Sequence, residues 1–388
     1  MPAPGTAAVP ANRSHFAFLQ DHHICRPITE CQPLYWWYLY TPAKGSKQES
    51  TTMKKRKLAL VCLLYVGSII STTVNAAGPS QEAIDTAIRK SIPLLETTAA
   101  GSSQHRQCFT CHGHAMPVLA IVAAKGRGFT IDEKNLQAQL DHTAADLARG
   151  KANYLKGRGQ GGGHTRAGYA LWTLHTGHRK PDDVTAAVTA YLVFDEKADH
   201  WKSSANRPPS EKSPFASTYV ALRGLDAFGT NAQAKRIDMR KQKALAWLLH
   251  EQATDTEDRV FRLLGLGHLD ADPDAVKSAA EQLIKTQQQD GGWSQITDAK
   301  SDAYATGSVL FALHQAAGIS IDHDVYQRGV KFLLGDQLED GSWHVRSRSK
   351  PFQTYYESGF PHGKDQFISM HASSWATLAL LLTHSAER

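Results

Sequence analysis

The sequence predicts an all-α protein whose helix pairs close into two concentric layers, a single (α/α)6 toroid of inner and outer helices. Three observations carry that expectation. A motif recurs: Leu283, Gln287, Asp290, Gly291 and Trp293 are matched 50 residues later by Leu333, Gln337, Asp340, Gly341 and Trp343. Segments that are apolar all round alternate with amphipathic ones, as buried and half-exposed helices do. No stretch keeps the period-two alternation of a strand, so strands should be rare.

Taken in chain order, the first 76 residues stand apart. Met53 opens a second start, followed by the basic run Lys54, Lys55, Arg56 and Lys57, an apolar run from Leu58 to Ile70, and small residues up to Ala76. That order reads as a signal peptide over residues 53–76, with residues 1–52 as a mis-set start or disordered leader. The apolar run is short of the ~20 residues of a membrane span, so the exported chain has no integral membrane segment and is periplasmic or secreted. Residues 77–388 then form the toroid domain. Its outer and inner helices pair as 81–95 with 117–125, 133–148 with 167–175, 183–194 with 218–228, 237–250 with 258–266, 274–286 with 304–316, and 324–333 with 373–382. Glycines at 157–163 and Pro208-Pro209 mark joins. Within the repeat, Leu and Gln share a helix face, Gly ends the helix in a left-handed conformation, and Trp folds back over the end. Leu248, Gln252 and Asp255 keep only the first half of the pattern.

The chain carries a formal net charge of +6. The leader and signal supply most of that excess, and beyond residue 76 basic and acidic residues nearly balance. The composition gives no electrostatic case for nucleic acid. A small molecule or a redox protein is the expected partner.

The two complete repeats resemble the QW repeats of squalene and oxidosqualene cyclases and of protein prenyltransferase β-subunits. Tyr304 to Gly307, followed by Leu310 to Leu313, is similar to the inner helix of that repeat. The stretch from Phe352 to Trp375 resembles an exported bacterial branch of the family that carries CxxCH near its start. The resemblance implies a terpenoid-cyclase-like toroid. Triterpene cyclisation and prenyl transfer are not carried over with it. The proton-donating D-x-D-D motif has no match in Asp270, Asp272 and Asp274, and the late zinc ligands of the prenyltransferases are absent.

Beyond residue 76 the only cysteines are Cys108 and Cys111, directly followed by His112. In an exported chain this C-x-x-C-H spacing reads as attachment of haem c. Two thiols reach the two vinyl groups, and the next imidazole, His112, is the metal ligand. His164 and His371 are nominated as further cofactor ligands, and Pro117 is expected to cut short any helix carrying the motif. A CxxC disulfide with no cofactor, its thiolate favoured by a helix N-terminus, and zinc held by Cys108, Cys111 and His112 or His114 stay open. Asp302, Tyr304, Glu357, His362 and Asp365 are the catalytic candidates. The last three lie in the long connection after Trp343, which serves either as a functional loop or as a belt closing the ring. Arg166, Glu257 and Asp258 also fall at inner-helix starts, where plain capping explains an acid. The functional expectation is a haem c toroid in electron transfer or oxidation. The alternatives are a cofactor-free toroid enzyme acting on an isoprenoid or glycan, and a non-catalytic binding toroid.

Overall fold

The computed structural model describes residues 78–351 and 354–384. Residues 1–52 and 53–76, where a leader and a signal peptide are expected, lie outside the described residues. Among those described, twelve α-helices and no strand occur; a lone bridge pairs Arg207 with Glu211. The outer helices are α1 (Gln81–His105), α3 (Glu133–Leu155), α5 (Asp183–Leu192), α7 (Ala234–His250), α9 (Pro273–Ile284) and α11 (Asp324–Asp336). The inner ones are α2 (Met116–Gly126), α4 (Gly163–Thr176), α6 (Pro214–Phe228), α8 (Thr256–His268), α10 (Ala303–Ala317) and α12 (Gln366–Thr383). Every pair read from apolar patterning is present. No described helix is long and apolar enough to cross a membrane.

Each inner helix packs on the next, α2 on α4 through to α10 on α12, and α12 packs back on α2. The ring is therefore closed. Its inner helices approach so closely that a Cβ at Gly307 would lie 2.6 Å from the Ala376 amide nitrogen, so α10 and α12 can meet only through glycine. The seam is stitched by polar contacts. Ser91 and Thr377 share a hydrogen bond of 2.8 Å, and Gln337 Nε2 donates to Ala87 O at 2.9 Å; within the last pair, Tyr326 Oη donates to Ala379 O at 2.9 Å.

The repeat motif builds the outer corners. Trp293 Nε1 donates to Leu283 O at 2.8 Å and Trp343 Nε1 to Leu333 O at 2.7 Å, each supplying a donor to a carbonyl that its helix end leaves over. The tryptophan backbone N–H groups donate in turn to Thr306 Oγ1 and Ser373 Oγ on the paired inner helices. Gln287 binds Gly291 O and Val325 O, the latter at the start of the next outer helix. Gln337 repeats this toward Gly341 and α1, which makes it a closure contact as well as a cap. Gly291 and Gly341 have φ of 90° and 88°, and a Cβ there would also strike backbone of the neighbouring outer helix. The sequence pattern misses a third corner. Trp201 Nε1 donates to Leu192 O at 2.8 Å and Trp201 N to Thr218 Oγ1, with Arg240 stacked on the indole. At the incomplete repeat, Arg262 replaces tryptophan and donates to Leu248 O and Leu249 O.

Candidate functional site

The inner helices all start at the same end of the ring, and a cleft of about 200 Å³ opens there. His112, Phe367 and His371 form its inner wall. Arg207, Pro208, Pro209 and Ser210 stand on one side, and Ser347, Ser349, Lys350 and Pro351 with Thr354 and Tyr355 on the other. The volume is below the ~300–1,000 Å³ of ordinary ligand pockets. The long connection after Trp343 makes much of the outer wall. Ser349 Oγ donates to Pro208 O at 2.7 Å, and Arg106 Nη2 donates to Thr354 O at 2.6 Å. The connection also presses on α1, where a Cβ at Gly101 would overlap the Ser358 carbonyl. It is both a cleft wall and a belt across the ring seam.

The C-x-x-C-H motif runs into the first inner helix without a break. Cys111–Ala115 form one π-helical turn that continues directly into α2, which corrects the expectation that Pro117 cuts the motif's helix short. Pro117 has no N–H to offer the carbonyl four residues back, so the turn widens. Ala115 N reaches Thr110 O at 3.3 Å, and Met116 N reaches Cys111 O. Thr110 Oγ1 caps the turn by accepting from Gly113 N.

This turn sends its two histidines in different directions. His114 is buried between α1 and α3. Its Nδ1 accepts from Thr110 N at 3.0 Å, its Nε2 meets Ser103 Oγ at 3.2 Å, and its ring stacks on His142. His112 faces the cleft, packed on Phe367 with ring centroids 5.0 Å apart, and its buried Nε2 has no hydrogen-bond partner. Burial, with the Arg207 guanidinium nearby, pushes the His112 imidazole down to about 4, so it is neutral at ordinary pH. His371 also lines the cleft with an unpartnered Nε2, and burial pushes it down to about 3.

Cys108 is half-exposed and Cys111 buried, both as free thiols, and neither lines the cleft. Burial pushes the Cys111 thiol up to about 12, overriding Arg166 and Arg207. The helix terminus invoked for a reactive thiolate therefore does not produce one at Cys111: desolvation wins. Among the described residues no group of three or more His, Cys, Asp or Glu side chains is gathered as a metal site.

The remaining candidates are scattered. His164 stacks on Tyr191 at 4.8 Å, near the Lys202 backbone rather than on the cleft. Asp302 is the N-cap of α10, accepting from Ala305 N at 2.9 Å and from Gln295 Nε2. Glu357 is exposed and accepts from Tyr355 Oη; it faces α1. His362 and Asp365 hold the loop beneath Trp343. His362 Nε2 meets Ser342 Oγ at 2.7 Å and stacks on His344, while Asp365 accepts from Ser347 N and pairs with His344. Arg166 pairs with the buried Asp146 of α3, and Asp258 accepts from Ser213 and Thr254. Tyr304 is buried behind the cleft, edge-on to His371 at 4.9 Å, and donates to Glu257 at 3.2 Å. Sequence reading missed Arg207 and Phe367. The Pro208-Pro209 pair was the signal that this loop is shaped, and Phe367 stands one helical turn before His371.

Two comparisons bear on these features. Residues 224–388 match the squalene-hopene cyclase C-terminal domain, covering α7 to α12 and both complete repeats. The chain is a squalene-cyclase-like α/α toroid. A squalene–hopene cyclase of Bradyrhizobium diazoefficiens is 31% identical to this toroid over 130 residues, which are 29% of this chain and 18% of that protein. The toroid thus spans less than a fifth of that relative. The half of the ring that carries Cys108, Cys111 and His112 lies outside the matched domain.

Proposed function

We propose that this toroid is an exported haem c protein, with the group tied to Cys108 and Cys111 and His112 as its iron ligand, acting in electron transfer or oxidation. The supporting observation is His112 itself: a neutral imidazole on the cleft wall whose buried Nε2 has no hydrogen-bond partner. A structural histidine at that place would be paired, as His114 is two residues on. A neutral ring with a free nitrogen is what a metal ion binds. Cys108 and Cys111 would hold the group through their sulfurs, and His112 would hold its iron. Bound there, the group supplies one-electron redox chemistry. Lys350 and Lys364 at the cleft are placed to meet negative charge on its rim. Export follows from the basic and apolar order of residues 54–76.

The test is expression of the full chain in a strain with haem c maturation, followed by absorbance and intact mass. The expected product begins at Ala77, carries a covalent Soret-absorbing group, and loses the covalent link when Cys108 and Cys111 are both changed to Ser. In His112→Ala the group stays attached and the low-spin bands weaken. A colourless protein with two alkylatable thiols overturns the reading. The isoprenoid alternative gains nothing from the packing: Tyr169, Trp172, Tyr219, Phe261, Phe311 and Trp375 are buried against one another along the inner helices.

A further inference from the structure

Two histidines join the ends of the connection between Trp343 and α12. His344 at its start and His362 near its end stack with ring centroids 4.5 Å apart and planes 16° from parallel. His344 Nε2 bonds Asp365 Oδ2 at 3.0 Å, and Asp365 Oδ1 accepts from Ser347 N at 2.8 Å. Ser342 Oγ gives its one hydrogen to Asp340 Oδ1 at 2.6 Å. His362 Nε2, 2.7 Å from that oxygen, therefore carries the ring hydrogen and donates it. The other nitrogen, Nδ1, is the one that takes a proton. His362 also has φ of 80°, a left-handed conformation that its contacts must hold.

The helix corner itself does not need this pair. At the sister repeat, Gly292 and Ser294 stand where Ser342 and His344 stand here, and Asp290 accepts from Gly292 N and Ser301 Oγ. What the histidines add is a join between two segments that both line the cleft, through Ser347 and Ser349 from the first and Lys364 from the second. The charged groups around the join are few. His362 faces His344, Asp340 and Asp365; Asp336 at the end of α11, itself beside Asp290, faces His344; and Arg346 faces Asp365. Burial and His344 outweigh the two aspartates and hold His362 below the ordinary histidine range. Although burial opposes it, hydrogen bonds from Ser342 to Asp340, and from Ser347 and His344 to Asp365, hold both carboxyls below their usual range. Both therefore stay charged while His362 titrates.

We propose that the His344–His362 stack is an acid-sensitive clamp on the cleft wall, closed at neutral pH and parted when His362 takes a proton. With both rings protonated, two cations stand face to face at stacking distance, and the stack no longer offsets the left-handed backbone of His362. The sign follows from the depressed histidine. Its contribution to the closed arrangement is complete above the unfolded value near 6.5 and is lost as pH falls below it. Parting frees residues 344–349 and the turn Gly363–Asp365, and so widens a cleft of only about 200 Å³. The clamp acts on the wall whatever the cleft holds, so it stands or falls apart from the haem reading.

Hydrogen exchange read by mass spectrometry on the full chain, near pH 7.5 and near pH 4.5, tests it, each rate being divided by its chemical rate at that pH. Residues 344–349 and 363–367 should exchange about fivefold or more faster at the lower pH, while the sister corner, residues 288–294, changes by less than about twofold. His362→Asn suits the left-handed backbone and takes no charge, and His344→Gln removes the facing ring. In each variant the acid response of both segments should be gone, whatever their protection at the higher pH. Should one variant not fold, the other carries the test. Equal corrected exchange at both pH values in the parent, or the parent's acid response surviving in a folded variant, overturns the proposal. Colourless protein serves as well as haem-loaded protein, so this result is separate from the absorbance test.

Discussion

His371 and Asp302 sit on neighbouring inner helices and respond to pH with opposite signs. Burial, with His112 adding, pushes His371 down to about 3. Its stability contribution is complete above the unfolded value near 6.5 and is lost as pH falls toward about 3, because the unfolded chain takes the proton first. Burial raises Asp302 to about 6 despite the hydrogen bonds to Ala305 N and Gln295. Its contribution is complete below about 4 and is lost as pH rises through about 6, so near neutrality it costs on the order of 3 kcal/mol. Between pH 4 and 6 the two slopes oppose each other. Asn caps a helix as well as Asp does, so Asp302→Asn keeps the cap and removes the charge. Urea unfolding at pH 7 should show that variant about 1–3 kcal/mol more stable than the parent, with the gain vanishing near pH 4. An equal difference at both pH values would mean that the carboxylate is not the cause.

The helix corners can be tested as a series. Trp201, Trp293 and Trp343 each close an outer helix through one indole N–H, and each is wholly buried. Phe retains most of the packing and leaves a carbonyl unpaired, so each Trp→Phe change should cost about 1–3 kcal/mol in urea unfolding. Trp201→Phe is the informative member: a cost equal to the other two would establish it as a full corner of the ring. The same residues show what the sequence discloses. Leu, Gln, Asp, Gly and Trp at fixed offsets expose two corners, because each does one local job that no other residue type does as well. Trp201 escapes that pattern because its turn lacks the Gln and the Gly, and Arg262 escapes it because a guanidinium replaces the indole as donor. All six helix pairs were legible, since burial on every side leaves a mark on composition. The site was legible only in part. C-x-x-C-H is a local spacing, so it can be read in one dimension. The partition of His112 inward and His114 outward depends on a widened turn, and the pairing of Glu257 with Tyr304 joins side chains 47 residues apart.

At the scale of the molecule, closure separates this architecture from a row of stacked helix pairs, and it brings the two ends of the described residues, 78 and 384, near each other. His384, just past α12, pairs with Asp85 of α1 at 2.8 Å and meets Gln81 Nε2 at 3.3 Å, while its carbonyl accepts from Arg127 at the end of α2. Ser80, the N-cap of α1, is therefore one short span from the end of α12. A linker of about six residues can reach roughly 20 Å when extended, enough to join residue 384 to residue 78 without strain. New ends placed between Lys180 and Pro181, both exposed on the short turn from α4 to α5, would cut no helix. A circular permutant of residues 78–384 made in this way should keep the parent's helical circular dichroism and lose no more than about 2 kcal/mol, a few degrees in Tm for a domain of this size. In an open row of pairs the same linker would have to span the whole length of the row, and the permutant would fold only with a much longer one. A permutant that fails with six residues and recovers with about twenty would place the ends far apart, beyond the reach of a closed ring.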